Sequence, residues 1–73
     1  MENYELIVKA YDRPGTLERI LRVIRHRGGN IQSMNMNVAS SQQLLITFKF
    51  INSKNKTQII NQLLKLADIV AID

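Results

Sequence analysis

Apolar and polar residues alternate along several stretches of the chain. In residues 4–11, apolar side chains recur at every second position on one side, which is the period of a half-buried β-strand. Residues 43–51 alternate in the same way, and Phe48 and Phe50 share a face that we expect to lie in the core. A short run, residues 69–72, is β-branched apart from one alanine and predicts a final strand.

Two other stretches carry apolar residues at helical spacing. Residues 16–27 and residues 56–67 each show one apolar stripe, which is typical of a helix packed on a core. Thr16 stands where its hydroxyl could cap the first amides of the first helix. Residues 30–39 alternate again and predict a strand, and Ile31 falls in the opposite phase, which indicates a bulge.

The order strand, helix, strand, strand, helix, strand predicts an α+β, ferredoxin-like βαββαβ fold with two helices on one face of a four-stranded antiparallel sheet. With 73 residues, we expect a single domain over residues 1–73. The other face of the sheet mixes apolar and charged side chains, and both ordinary surface and a partner surface fit that pattern.

A domain of this size has a small core, which supplies on the order of 3 to 5 kcal/mol unless something reinforces it. The chain has no cysteine and one histidine, His26, so neither a disulfide nor a zinc site is expected. Oligomerisation is the remaining means of reinforcement, and we expect a homodimer.

The basic character of the chain is concentrated on the first predicted helix. The formal net charge is +4, and all five arginines fall between positions 13 and 27. Arg19, Arg22 and Arg25 fit either a solvated helix face or a docking surface for an acidic patch on a partner. No stretch approaches the roughly 18 apolar residues of a membrane span, and the N-terminus does not resemble a signal peptide. We therefore expect a cytoplasmic protein that binds no membrane.

The candidate chemistry lies in the loop between the first strand and the first helix. Free amides at a helix start attract an α-carboxylate, Gly15 permits close approach of a ligand, and Asp12 could pair with an α-ammonium group. An ordinary tight turn has the same composition, so the residues support both interpretations. In a dimer, Asn30 and Ile31 of one protomer could face this loop of the other. The candidate effector-binding residues are Asp12, Arg13, Pro14, Gly15, Thr16, Leu17, Asn30 and Ile31.

The loop sequence DRPGTL, residues 12–17, resembles the ligand loop of ACT domains. The run TLERILRVIRHRG, residues 16–28, followed by SMNM, residues 33–36, is similar to the small regulatory subunits of bacterial acetolactate synthases, closest to the isozyme II type. This resemblance implies a non-catalytic subunit that binds and activates a large catalytic subunit in branched-chain amino acid biosynthesis. Thiamine diphosphate, Mg²⁺ and FAD would belong to that subunit, with no cofactor in this chain.

The resemblance also implies valine, leucine or isoleucine as candidate effectors. The longer valine-sensing small subunits continue into a second domain that this chain lacks, and the short isozyme II type is often insensitive to valine. Pro14, Gly15 and Asn30 are nevertheless features of ligand-binding members, so effector sensitivity stays open.

Other function classes fit the residues less well. The chain has no Gly-rich phosphate loop, nucleophile–base pair or metal-ligand spacing, which argues against an enzyme. An RRM-like RNA-binding module would share the topology, but Phe48 and Phe50 face the core and leave Tyr11 as the one aromatic residue for stacking. We therefore expect no nucleic acid partner. A stand-alone amino-acid-binding ACT domain that regulates another enzyme is the remaining alternative.

Overall fold

The computed structural model describes residues 2–73 and contains six elements. They are β1 (Tyr4–Tyr11), α1 (Thr16–His26), β2 (Ile31–Ser40), β3 (Gln43–Phe50), α2 (Lys56–Leu63) and β4 (Ile69–Ile72). The predicted βαββαβ order is confirmed. The second helix is shorter than its apolar stripe predicted, because the chain leaves the helix after Leu63 and reaches β4 through tight turns closed by the N–H groups of Leu66 and Ile69.

The sheet has the strand order β2-β3-β1-β4, and every neighbouring pair is antiparallel. In this order α1, which connects β1 to β2, crosses over β3, and α2, which connects β3 to β4, crosses over β1. The register of β2 against β3 shifts between Ile31 and Ser33. The bulge that the phase of Ile31 indicated is therefore present.

The core lies between the helices and one face of the sheet. Phe48 and Phe50 are fully buried there, as their spacing predicted. The other buried apolar residues are Leu6, Val8, Ala10, Leu44 and Ile46 from the sheet and Ile20, Ile24, Ile59 and Leu63 from the helices. At the end of α1 the backbone approaches the core closely, since a Cβ on Gly29 would lie 2.5 Å from Ile24 Cγ2.

The helices leave the edge strand β2 uncovered. Met34, Met36 and Val38 lie opposite buried residues of β3, and so on the helix side of the sheet, yet they are 42%, 43% and 70% exposed. No charged residue occurs between Arg27 and Lys49, so β2 lacks the lysines and prolines with which monomeric proteins usually protect an edge. The molecule thus presents a long, neutral strand edge with an apolar row beside it.

Candidate functional site

The loop between β1 and α1 is shaped by Gly15 and Thr16. Gly15 adopts a left-handed conformation (φ 81°) immediately before α1, and no side chain caps the helix. The predicted capping role of Thr16 is wrong, because Thr16 is the first helical residue and its buried hydroxyl turns back into the loop. That hydroxyl donates to the carbonyl oxygen of Tyr11 (2.9 Å) and accepts from the N–H of Arg13 (3.2 Å). The first-turn amides of α1 are consequently left without a side-chain acceptor.

A buried carboxylate that the sequence pattern did not predict is bonded to this loop and to the start of α1. Asp68, just before β4, accepts hydrogen bonds from Nε (2.7 Å) and Nη2 (2.8 Å) of Arg19. One carboxylate oxygen also lies 3.4 Å from the Thr16 hydroxyl and 3.8 Å from Nη1 of Arg13. The loop and the start of α1 are therefore anchored to β4 by an arginine–carboxylate pair of bidentate geometry.

The side chain of Arg19 lies against the loop. A Cβ built on Gly15 would be 2.7 Å from Nη1 of Arg19, so a larger residue at this left-handed position would also displace the end of the Arg19 side chain. Arg13 has a second contact, with its guanidinium carbon 4.7 Å from the centre of the Tyr11 ring. Of the three arginines predicted to dock a partner, Arg19 is thus paired with Asp68 and partly exposed, while Arg22 and Arg25 are exposed.

The stability that Asp68 contributes is expected to depend on pH. The hydrogen bonds from Arg19 hold the pKa of the Asp68 carboxyl below its ordinary value of 3.8, and burial of the carboxyl acts in the opposite direction. A pKa lowered by folding stabilises the protein above the unfolded-state value, and this contribution is lost as the pH falls from 3.8 through the folded-state pKa. Asp68→Asn should therefore be less stable than the wild type at pH 7, by a margin that shrinks in acid.

Urea unfolding at a series of pH values from 7 down to 2.5 tests this expectation. Asp73→Asn, at the exposed end of the chain, is the matched control, since it removes the same charge without touching Arg19. The difference in unfolding free energy between Asp73→Asn and the wild type should change much less over the same pH range. If the free-energy difference between Asp68→Asn and the wild type is equally large at every pH, the charged pair does not supply this stability.

Asn30 is held at the opposite end of α1. Its side-chain amide donates to the carbonyl oxygen of Ile51 (2.8 Å), and its main-chain N–H donates to the hydroxyl of Ser53 (3.3 Å). Ser53 is buried and also bonds the hydroxyl of Tyr4 (3.0 Å). Within residues 2–73 no hydrogen bond to the Oδ1 atom of Asn30 is present, so this exposed oxygen is free to accept one.

The two parts of the candidate effector site are separated in one chain by the length of a helix. An α1 of 11 residues spans about 16 Å at 1.5 Å per residue, which is much longer than an amino acid ligand. Asp12, whose N–H donates to the carbonyl oxygen of Gln42 (2.7 Å), lies beside the β2–β3 turn at one end of the sheet. Asn30 and Ile31 lie at the other end, so a single chain does not bring them to the loop.

The open face of the sheet carries none of the candidate effector residues. The register pairs Ile7 with Thr47, Lys9 with Leu45 and Tyr11 with Gln43 on this face, as the alternation predicted. A shallow concavity of about 330 Å³ lies beside β2 and β3, lined by Ser33, Met34, Asn35, Asn37, Thr47 and Lys49. No helix among the described residues is long and apolar enough to cross a membrane. Residues 2–73 also contain no group of three or more His, Asp or Glu side chains placed to hold a metal ion.

Comparison with known proteins gives the family. Residues 12–72 match the model of the ACT domain family, starting at the loop residue Asp12. The chain belongs to the ACT domain family. This ACT domain is 38% identical over 73 residues to the acetolactate synthase isozyme 2 small subunit of Escherichia coli K12, covering 99% of this chain and 84% of that protein. The small subunit of the same name from Shigella flexneri matches with the same identity and coverage.

Solved structures show the same fold at low sequence identity. The acetolactate synthase small subunit of Thermotoga maritima superposes with a TM-score of 0.87 at 17% identity, covering 100% of this ACT domain and 47% of that chain. The ACT domain from the GTP pyrophosphokinase of Chlorobium tepidum superposes with a TM-score of 0.79 at 19% identity, covering 97% and 94% of the two chains. The ferredoxin-like fold predicted from the order of the elements is thereby confirmed, and the resemblance to ACT domains is confirmed by the family match.

Proposed function

We propose that this ACT domain is the small, non-catalytic regulatory subunit of an acetolactate synthase, in which it binds and activates the large catalytic subunit. The identity of 38% to isozyme 2 small subunits over nearly the whole chain carries this proposal. The place of action is then branched-chain amino acid biosynthesis in the cytoplasm. Thiamine diphosphate, Mg²⁺ and FAD are held by the catalytic subunit, and the 73-residue chain acts as one ACT domain without a cofactor of its own.

Co-expression with the large subunit from the same genome tests this function. We expect the two chains to co-purify and the rate of acetolactate formation to rise severalfold over that of the large subunit alone. The ACT domain of an unrelated regulatory protein, added at the same concentration, is the control and should leave the rate unchanged. No complex and no change in rate would refute the proposal and favour a stand-alone ACT domain that regulates another enzyme.

We infer that the subunit is a homodimer joined along β2. The uncovered row of Met34, Met36 and Val38 and the neutral edge support a second copy as the occupant, because an uncharged strand can meet its own copy without repulsion. The other edge strand, β4, has only four residues, which makes it a poorer surface for pairing. Antiparallel pairing of two β2 strands about a two-fold axis joins the two four-stranded sheets into one continuous sheet. The two apolar rows then contact each other.

Such a pairing supports a shared effector site. The start of each β2 then lies beside the end of the partner's β2, and therefore beside its β2–β3 turn. Because Asp12 is bonded to Gln42 in that turn, Asn30 of one protomer comes close to the Asp12 loop of the other. The helix length that separates the two segments in one chain is thus no obstacle in a dimer.

The chemistry of these segments suits a branched-chain amino acid. The uncapped amides of α1 and Arg13 attract its α-carboxylate, while the exposed carboxylate of Asp12 and the Oδ1 of Asn30 accept hydrogen bonds from its α-ammonium group. The half-buried side chains of Leu17 and Ile31 offer apolar contact for valine, leucine or isoleucine. Pro14, Gly15 and Thr16 fix the shape of the loop.

A further inference from the structure

Five basic side chains lie in two segments at the end of the molecule that holds the C-terminus of α1. We call this group the cationic end: Arg25, His26, Arg27, Lys54 and Lys56. The two segments are joined by a hydrogen bond of 3.1 Å from the side-chain amide of Asn55 to the carbonyl oxygen of Arg27. All five side chains belong to exposed residues.

The positive charge of the cationic end is not neutralised by any salt bridge among residues 2–73. Both salt bridges in the described part of the molecule go to Asp68, which serves Arg13 and Arg19 instead. Glu2 reaches this end through its carbonyl oxygen, which accepts from the N–H of Ser53, but its carboxylate forms no salt bridge among residues 2–73.

The placement of the two lysines opposes the helix dipole. Lys54 and Lys56 flank the N-terminus of α2, which carries partial positive charge, and the first turn of α2 has no acidic residue and no side-chain cap. Helices usually place acidic residues at this position. Lys56 has one compensating contact, its ammonium group lying 5.5 Å from the centre of the Tyr4 ring. This arrangement costs the isolated domain a little stability, and an acidic partner bound at the two lysines would offset that cost.

We propose that the cationic end is the docking surface for an acidic segment of the catalytic subunit. This inference rests on the proposed function and names the surface that performs it, which shares Arg25 with the predicted docking face of Arg19, Arg22 and Arg25 and extends from there to the start of α2. A protein segment fits better than RNA, because Tyr4 at this end is half-buried and stacks on Phe50 at 4.8 Å, which leaves the imidazole of His26 as the single exposed ring among the described residues of the cationic end.

The test compares two triple variants of equal charge in binding to the large subunit. Arg27→Gln/Lys54→Gln/Lys56→Gln removes three positive charges of the cationic end and keeps Arg25, and Lys9→Gln/Lys49→Gln/Lys65→Gln removes three positive charges from exposed positions elsewhere. We expect the first variant to lose about tenfold or more in affinity at low salt and to lose most of its salt dependence, while the control stays within about threefold of the wild type. The concentration of the first variant that gives half-maximal activation of the large subunit should rise, and the maximal activation should be unchanged.

The outcomes separate this proposal from the one on which it rests. Circular dichroism and sedimentation first establish that both variants fold and assemble as the wild type does. Equal losses by the two variants, or a loss by the control alone, would overturn the docking surface. The docking surface would also be overturned if the first variant bound the large subunit with unchanged affinity but no longer bound a labelled single-stranded RNA. A wild type that fails to bind the large subunit would instead refute the proposed function.

Discussion

Replacing Met36 with lysine is expected to convert the proposed β2-paired dimer into a monomer. Met36 lies near the middle of β2 and is 43% exposed, and a two-fold axis through the strand brings both copies of such a residue close together. The variant would bury two like charges beside an apolar row, at a cost of several kcal/mol. We expect the dissociation constant of the dimer to rise by at least about 100-fold, since each 1.4 kcal/mol is a factor of ten. Sedimentation velocity over a concentration series measures it.

Leu64→Lys is the matched control for this substitution. Leu64 is also a large exposed apolar residue, at 53%, but it follows α2 and lies away from the edge of β2. Both variants introduce one positive charge at a site open to solvent in the monomer, so neither should unfold the domain. If the Met36→Lys protein dimerises like the wild type and the Leu64→Lys protein does not, the interface lies on the α2 side and β2 pairing is excluded.

The periodic parts of the fold could be predicted from the sequence because their signals are local. Alternation placed Phe48 and Phe50 in the core, and the phase of Ile31 located the bulge in β2. The end of α2 was misplaced because the apolar stripe continues past Leu63 after the helix has ended. Hydrophobic period alone does not distinguish a helix from the tight turns that follow it with apolar residues.

The anchor of the candidate site could not be predicted, because its parts are distant in sequence. Asp68 lies 49 positions from Arg19 and 52 from Thr16, and it stands alone between α2 and β4 without a motif around it. The antiparallel pairing of β1 with β4 brings these groups together, because it sets the end of β1, from which α1 starts, beside Asp68. The position of Thr16 was recognised but its role was not, since a threonine at a helix start serves equally well as a cap or as the first helical residue.

The exposure of the apolar residues of β2 could likewise not be predicted from the alternation of apolar and polar residues. Met34, Met36 and Val38 alternate as core residues do, and they share the face of β3 residues that are buried. What exposes them is the topology, because two helices that cross over β3 and β1 do not reach the outer strand. A core-like pattern on an uncovered edge is therefore a signal for assembly that appears only when the strand order is known.

The shared effector site is expected to be restored by mixing two variants that are each inactive in binding. Asp12→Ala and Asn30→Ala remove the two groups that would receive the α-ammonium, one from each protomer, so neither homodimer should bind valine, leucine or isoleucine measurably. In a mixed dimer one site carries both substitutions and the other carries neither. After subunit exchange the mixture should regain about one quarter of the wild-type number of sites, because random pairing makes half of the dimers mixed.

Isothermal titration calorimetry on the two variants and on their mixture gives the number of sites directly. If Asp12 and Asn30 acted within one chain, each chain of the mixture would still lack one of them and no binding would return. A double variant carrying both substitutions, mixed with either single variant, is the control and should also remain silent. If the wild type binds none of the three amino acids, the effector site is refuted but the dimer is not. The dimer is inferred from the apolar row of β2, whereas the effector site is inferred from the loop and Asn30, which the pairing brings together.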